Sequence, residues 1–369
     1  MLLRRGADPN LPNEIGETPL HVICERDEGD EDGLAKLFFA VCDEIGRAVH
    51  IDARSLLGNT PLHVALSQGH TELIEWLMRR GADSTTANYG GVTPLHLVCE
   101  RHRSVEINWL ETFFGINDEL GRTMAINATN RMGQTPLHLA AISGTEAMIR
   151  ALLRRGADPR VADEEGETPL YIVCRNRSSD LATALLDESR EEYRPVPLDA
   201  RAKWLGETPL HRALRHDNRD ATVWLLRRVC DPNCVDDHGS TPLHIVCRRK
   251  DDDGLAETFF KIVDEKNQSV QVDVRDKWGR TPLQWAVANL LPNTVDALLT
   301  HDADLSSFSF PWISFFWGFA ERGLRLGEIE TGRRRHDLLR AARGERLRTG
   351  SCRRPRGHEI LQRARIVLA

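Results

Sequence analysis

Gly58-Asn59-Thr60-Pro61-Leu62-His63-Val64-Ala65 opens a stretch that runs through Gly69-His70 to Arg79-Arg80-Gly81-Ala82-Asp83, and its pieces recur along the chain. The tetrad Thr-Pro-Leu-His starts at Thr18, Thr60, Thr93, Thr135, Thr208 and Thr241. Thr-Pro-Leu-Tyr at Thr168 and Thr-Pro-Leu-Gln at Thr281 bring the copies to eight. The intervals between starts are 42, 33, 42, 33, 40, 33 and 40 residues, so long and short units alternate with a superperiod of 73–75. Self-similarity at such a period is the mark of a stacked repeat protein.

Each tetrad sits in the same local setting. Two residues before every Thr stands a glycine, from Gly16 and Gly58 to Gly239 and Gly279, which suits a turn with positive φ. The Thr can cap a helix, and Pro fits the first helical position, where its missing N–H costs nothing. A second apolar stripe follows, as in Leu73-Ile74-x-x-Leu77 and Ile149-x-x-Leu152-Leu153. It stops at Arg79-Arg80-Gly81-Ala82-Asp83 or Arg154-Arg155-Gly156-Ala157-Asp158. Cations suit the end of a helix, and Gly its C-cap. These four arginines read as solvated helix ends.

The pattern resembles the ankyrin repeat family, over about residues 1–305. The resemblance implies an all-α solenoid of helix–turn–helix units with short β-hairpin fingers, here in alternating 33-residue and 40–42-residue repeats. One such unit cannot bury a core alone, so each leans on its neighbours. The six tetrad histidines, His21, His63, His96, His138, His211 and His244, then read as intra-array hydrogen-bonding groups, because a role repeated in every unit is structural.

The long units carry seven to nine extra residues and a cysteine six positions after the Thr: Cys24, Cys99, Cys174 and Cys247. Two repeats separate these thiols, about 20 Å at the usual helix spacing, so each reads as a small buried hydrophobe rather than part of a shared metal site. Phe38-Phe39, Phe113-Phe114 and Phe259-Phe260, with Leu185-Leu186 in the fourth long unit, read as core pairs. The segments after them, 43–52 and 264–273, predict a lengthened helix or a bulging loop at every second repeat. The acidic breaks 27–33 and 251–254 lack calcium-loop spacing and read as solvated turns.

The chain has 49 Lys plus Arg against 55 Asp plus Glu, a net charge of −6. That is the wrong sign for a protein built to neutralise phosphates, and no nucleic acid is expected on the repeats. No phosphate-binding Gly-rich loop, dinucleotide fingerprint or His-Glu-x-x-His is present. Cys230 and Cys234 are spaced for metal, but Cys230 replaces the Ala of Gly-Ala-Asp. The expectation is no enzyme, no metal and no cofactor.

A partner would meet the fingers, whose tips precede each tetrad glycine. Large apolar side chains there are not needed for folding, and aromatic and Met side chains are favoured in binding hot spots. Leu56, Leu57, Tyr89, Met132, Trp204, Leu205 and Trp278 are the candidate partner-binding residues. Trp204 and Leu205 could instead fold back on the preceding insertion. The expected partners are other proteins, with membrane contact not expected and an intracellular, cytoplasmic location. The function expected is a non-catalytic scaffold or adaptor. The alternatives are the cytosolic ankyrin portion of a membrane protein or channel, and a substrate adaptor of a ubiquitin ligase.

Both ends depart from the pattern. Leu2 to Asn10 reads as the last half of a repeat, so the chain is expected to begin inside an array. Beyond Leu305, residues 308–320 hold seven of the 22 aromatics, and residues 321–369 hold fourteen Arg, no Lys and six acids. The expected divisions are therefore an array at 1–305, an aromatic segment at 306–320 and an Arg-rich tail at 321–369. A membrane anchor, an anion-binding tail and non-native translation compete to explain that end.

Overall fold

The computed structural model describes residues 2–26, 31–100, 108–176, 179–306 and 308. The aromatic segment and the Arg-rich tail thus lie outside the described residues, apart from Ser306 and Phe308. The acidic residues Asp27 to Asp30 are also outside. Among the described residues there are sixteen α-helices and no β-strand.

The chain divides into two compact units, residues 1–197 and residues from 198 onward. In the first, the helix pairs are α1 (Pro19–Glu25) with α2 (Glu31–Glu44), α3 (Pro61–Gln68) with α4 (Thr71–Arg79), and α5 (Pro94–Glu100) with α6 (Asn108–Glu119). Next come α7 (Pro136–Ser143) with α8 (Glu146–Arg154), and α9 (Pro169–Val173) with α10 (Ser179–Asp187). The first helices of successive pairs pack on one another as an inner layer and the second helices as an outer layer. The second unit repeats the plan with α11 (Pro209–Arg215) and α12 (Arg219–Arg227), α13 (Pro242–Cys247) and α14 (Leu255–Glu265), and α15 (Pro282–Ala288) and α16 (Pro292–Thr300).

Every inner helix begins with the tetrad proline. The following leucine, such as Leu62, Leu137 or Leu243, is fully buried, as are Cys24, Cys99, Cys174 and Cys247. Burial pushes the Cys24 thiol up to about 12 and those of Cys99 and Cys247 higher still. These thiols pack as small hydrophobes.

The surplus of the long units goes where the outer helix is. α2, α6 and α14 have 14, 12 and 11 residues, against nine in α4, α8, α12 and α16. α10 also has nine, and in its unit a single 3-10 turn at Glu191–Tyr193 follows. The Phe pairs of α2, α6 and α14 are buried. The turn 251–254 is not simply solvated. Asp252 accepts the N–H groups of Asn293 and Thr294 at 2.6 and 3.1 Å and caps α16, and Asp253 pairs with Arg249 at 2.9 Å.

The arginine stops lie at the surface, with Arg79, Arg80 and Arg154 exposed and Arg155 part-exposed, and they also make contacts between repeats. Arg80 pairs with Asp43 at 2.6 Å and stands 4.9 Å over the Phe39 ring, while Arg154 pairs with Glu188 at 3.2 Å. These ends tie each short unit to a long neighbour.

Candidate partner-binding surface

The fingers are tight turns held without a strand ladder. All eight tetrad glycines have positive φ, between 60° and 77°. An Asn or Asp three residues before the glycine closes the turn from inside. Asn88 Oδ1 accepts the N–H groups of Gly90 and Val92 at 2.9 and 3.0 Å, and Asn130, Asp163, Asp236 and Asp276 do the same in their turns. Such Asx turns satisfy the backbone locally.

Neighbouring fingers are stitched together tip to tip. In the first unit Leu56 donates its N–H to Ile15 at 3.0 Å, Tyr89 to Leu57 at 3.1 Å, Arg131 to Gly90 at 2.8 Å, and Glu164 to Met132 at 2.9 Å. In the second, Asp237 donates to Leu205 and Lys277 to His238, both at 2.8 Å.

The histidines hold the finger bases. In each of the six, Nδ1 accepts the backbone N–H of its own tetrad Thr at 3.0–3.3 Å. Nε2–H then donates to a carbonyl at the base of the next finger, at 2.9–3.1 Å: Asn59, Val92, Gln134, Glu167, Ser240 and Arg280. An acceptor at Nδ1 and a donor at Nε2 define the neutral imidazole. Burial lowers the pKa of all six, His211 to about 4.

On this frame the candidate tip residues stand as follows. Leu56, Leu57, Tyr89 and Met132 are exposed on consecutive fingers of the first unit, at 67%, 71%, 53% and 60%, and Ile15 beside them is exposed too. In the second unit Trp204 is 72% and Trp278 52% exposed, while Leu205 is half-buried with φ 66°. Trp204 therefore does not fold away. Arg54 stands 5.1 Å over the Tyr89 ring.

The sequence reading missed an aromatic and cationic group at the inner helices and finger bases of the second unit: Arg248, just after α13, Trp285 on α15, and Arg280 before it, beside Trp278. Its only signal was position. Trp285 stands four residues after its tetrad Thr, where the other units carry Val, Leu, Ile or Arg; Arg248 stands seven after its Thr, a position that also holds Arg175 and Arg215.

Among the described residues, no group of three or more His, Cys, Asp or Glu side chains is placed to hold a metal ion. Cys230 is buried, and the Cys234 thiol is pushed up to about 12 by burial and by the Asp231 carboxylate 3.3 Å away. No described helix is long and apolar enough to cross a membrane.

Paired helices stacked through invariant finger contacts define a helical repeat protein. The profile of ankyrin repeats in three copies matches residues 1–88, 27–110, 88–163, 148–236 and 210–309, and the chain belongs to the ankyrin repeat family. It is 27% identical to the mouse B-cell lymphoma 3 protein homolog over 243 residues, 66% of this chain and 44% of that one. It is 26% identical to the human transient receptor potential cation channel subfamily A member 1 over 287 residues, 78% of this chain and 24% of that one. The chain thus spans less than half the length of either relative. A crystal structure of the ankyrin repeat domain of Bcl-3 superposes with a TM-score of 0.48 at 27% identity, covering 58% of this chain and 89% of that domain. Ankyrin repeats are protein-interaction modules, generally non-catalytic.

Proposed function

We propose that this chain is a non-catalytic scaffold or adaptor that engages partner proteins through its finger tips: Leu56, Leu57, Tyr89 and Met132 in the first unit, and Trp204, Leu205 and Trp278 in the second. The observation that carries the reading is the run of large apolar side chains exposed on fingers whose backbone is fixed by hydrogen bonds. Exposed apolar groups on a rigid frame bind with little ordering cost. An intracellular location, cytoplasmic first, goes with this reading, and the seven described cysteines are free thiols.

The test compares proteins retained by the immobilised full chain with those retained by a variant carrying Leu56→Ser, Leu57→Ser, Tyr89→Ser and Met132→Ser. The variant should melt within about 2–4 °C of the parent, since exposed changes cost little, and should lose the retained proteins. Retention of the same set at the same yield overturns the reading for the first unit.

A second reading, an ankyrin portion of a larger membrane protein, is favoured by the relative named as a cation channel, which matches 78% of this chain. Fractionation of the endogenous product decides between them: recovery only in membranes after carbonate washing supports this one, and recovery in the soluble fraction supports the scaffold.

A further inference from the structure

Arg248 follows the last residue of α13, and its guanidinium stands 4.6 Å from the centre of the Trp285 ring and 5.9 Å from that of Trp278. Asp276 fixes the Trp285 ring by taking its Nε1–H at 2.8 Å, and fixes the turn that carries Trp278 by taking the Trp278 backbone N–H at 3.0 Å. The His238 ring lies 5.5 Å from the Trp278 ring, tilted by 30°, and Arg280 stands 4.8 Å over Trp285. Arg215 nearby is already matched: it pairs with Glu207 and, at 2.8 Å, with Asp236.

Arg248 has no such match. Its backbone N–H bonds to the Ile245 carbonyl at 3.1 Å, but among the described residues its guanidinium makes no ion pair and no hydrogen bond: it has the two ring contacts and the longer-range attraction of Asp276 and Asp236. Burial lowers its pKa, followed by the proximity of Arg215, so part of its hydration is gone with no protein acceptor in exchange. A guanidinium offers five N–H donors in a planar fork that fits a carboxylate with two parallel bonds.

We propose that Arg248, held between Trp278 and Trp285, is a carboxylate-recognition site that takes an Asp or Glu side chain of a partner peptide, with an apolar neighbour of that residue lying on the exposed Trp278 ring. This rests on the scaffold reading above and names the chemistry of the partner in the second unit. Charge decides for a single acidic side chain over a nucleic-acid backbone. One guanidinium with no hydrogen-bond acceptor, its charge already partly offset by Asp236 and Asp276 in a chain of net charge −6, suits one isolated anion and repels a row of phosphates.

The test pans a library of random dodecapeptides on the immobilised full chain, then titrates synthetic copies of the enriched peptides calorimetrically. Enriched peptides should share an Asp or Glu at one position beside an apolar residue. Replacing that acid by its amide should weaken binding to the parent by about tenfold or more, as loss of a charged hydrogen-bonding pair does. Against Arg248→Gln the same replacement should matter less than about twofold. Trp278→Ser, at an exposed ring, should also weaken binding, and the acid–amide comparison on the parent needs no variant to fold. A selected pool without a shared acid, or an acid whose replacement costs the same on Arg248→Gln, overturns the proposal. So does Arg248-dependent binding of a 20-nucleotide polyuridine in place of the peptides. If enriched peptides depend on Trp204 or Trp278 but not on Arg248, this proposal fails while the scaffold reading stands. If they depend on none of the named residues, both fail for this unit.

Discussion

The Arg155 guanidinium stands 4.5 Å over the centre of the Phe114 ring while two of its N–H groups donate to the Asp118 carboxylate at 2.8 and 2.7 Å. Phe114 and Asp118 are four residues apart on α6, the outer helix of a long unit, and Arg155 ends α8 of the short unit that follows. Phe39 and Asp43 receive Arg80 in the same way. Phe260 and Asp264 receive His301, stacked 3.8 Å from the ring at 11° and 3.1 Å from the carboxylate. The alternation of unit lengths thus has a physical counterpart in three of the four long units: α2, α6 and α14 supply a ring and an acid, and the end of the following outer helix a basic group.

Replacing Arg155 by Ala should lower stability through the lost ring contact by about 0.5–1 kcal/mol, the usual range for a cation over an aromatic face near the surface. Arg155→Lys should recover only part, because an ammonium lacks the flat fork. Urea titration in low and high salt checks this. The difference between parent and Arg155→Ala should shrink but persist in 1 M NaCl, since salt screens the pair with Asp118 and not the stacking.

Finger glycines differ in how closely the next finger approaches. A Cβ on Gly58 would lie 2.6 Å from the Tyr89 backbone nitrogen, whereas one on Gly279 meets nothing within 4 Å. Both have positive φ, 77° and 73°. Gly279→Ala should therefore cost about 1 kcal/mol, the left-handed backbone alone. Gly58→Ala should cost at least about 1 kcal/mol more, from the displaced finger. Equal losses in parallel denaturant titrations would show that the approach of Tyr89 is not constraining.

The repeat, the buried leucines and the histidine role were legible because each is written within one tetrad, the leucine repeated eight times and the histidine six. Contacts between units were not. Arg80 and Phe39 are 41 residues apart, and no local pattern joins a helix-ending arginine to a ring in the preceding repeat, so these arginines read as solvated ends. The fingers were legible from glycine, but the Asx residues that close them vary between Asn and Asp and drop out at Ser55 and Lys203. Arg248 was invisible for a different reason: its surroundings come from three separate segments, and only packing shows that its guanidinium lacks a hydrogen-bond acceptor.

Val229 is a consequence of degenerate repeats. It has φ 65° and is 54% exposed at the stop of α12, where Gly81 and Gly156 serve the other short units. A β-branched residue is strained there. Asn267 occupies the matching stop after α14 with φ 53°. Val229→Asn should raise stability by roughly 0.5–1 kcal/mol, because Asn tolerates the left-handed region and little packing is lost. A melting temperature unchanged or lower would show that Val229 makes a packing contribution as large as its strain.

Acid should weaken the fold through the tetrad histidines. The six tetrad histidines are neutral in the folded chain, their pKa lowered chiefly by burial. In the unfolded chain they titrate near 6.5, so below that pH the unfolded state binds more protons. Their contribution is complete above pH 6.5 and is lost as pH falls toward the folded values, about 4 for His211. Well below 6.5 each lowered histidine costs up to ~1.4 kcal/mol per pH unit until its folded pKa is reached. The last unit shows how to remove the effect: Gln284 fills the histidine position, with Oε1 accepting the Thr281 N–H at 3.0 Å. A variant carrying His63→Gln, His96→Gln and His138→Gln should stay folded at pH 7.5 and lose less stability than the parent between pH 7 and pH 5. Urea titrations at half-unit intervals measure both slopes. If the two fall in parallel, the histidines are not the acid-sensitive element, and the neutral Nδ1-acceptor arrangement does not control the pH response.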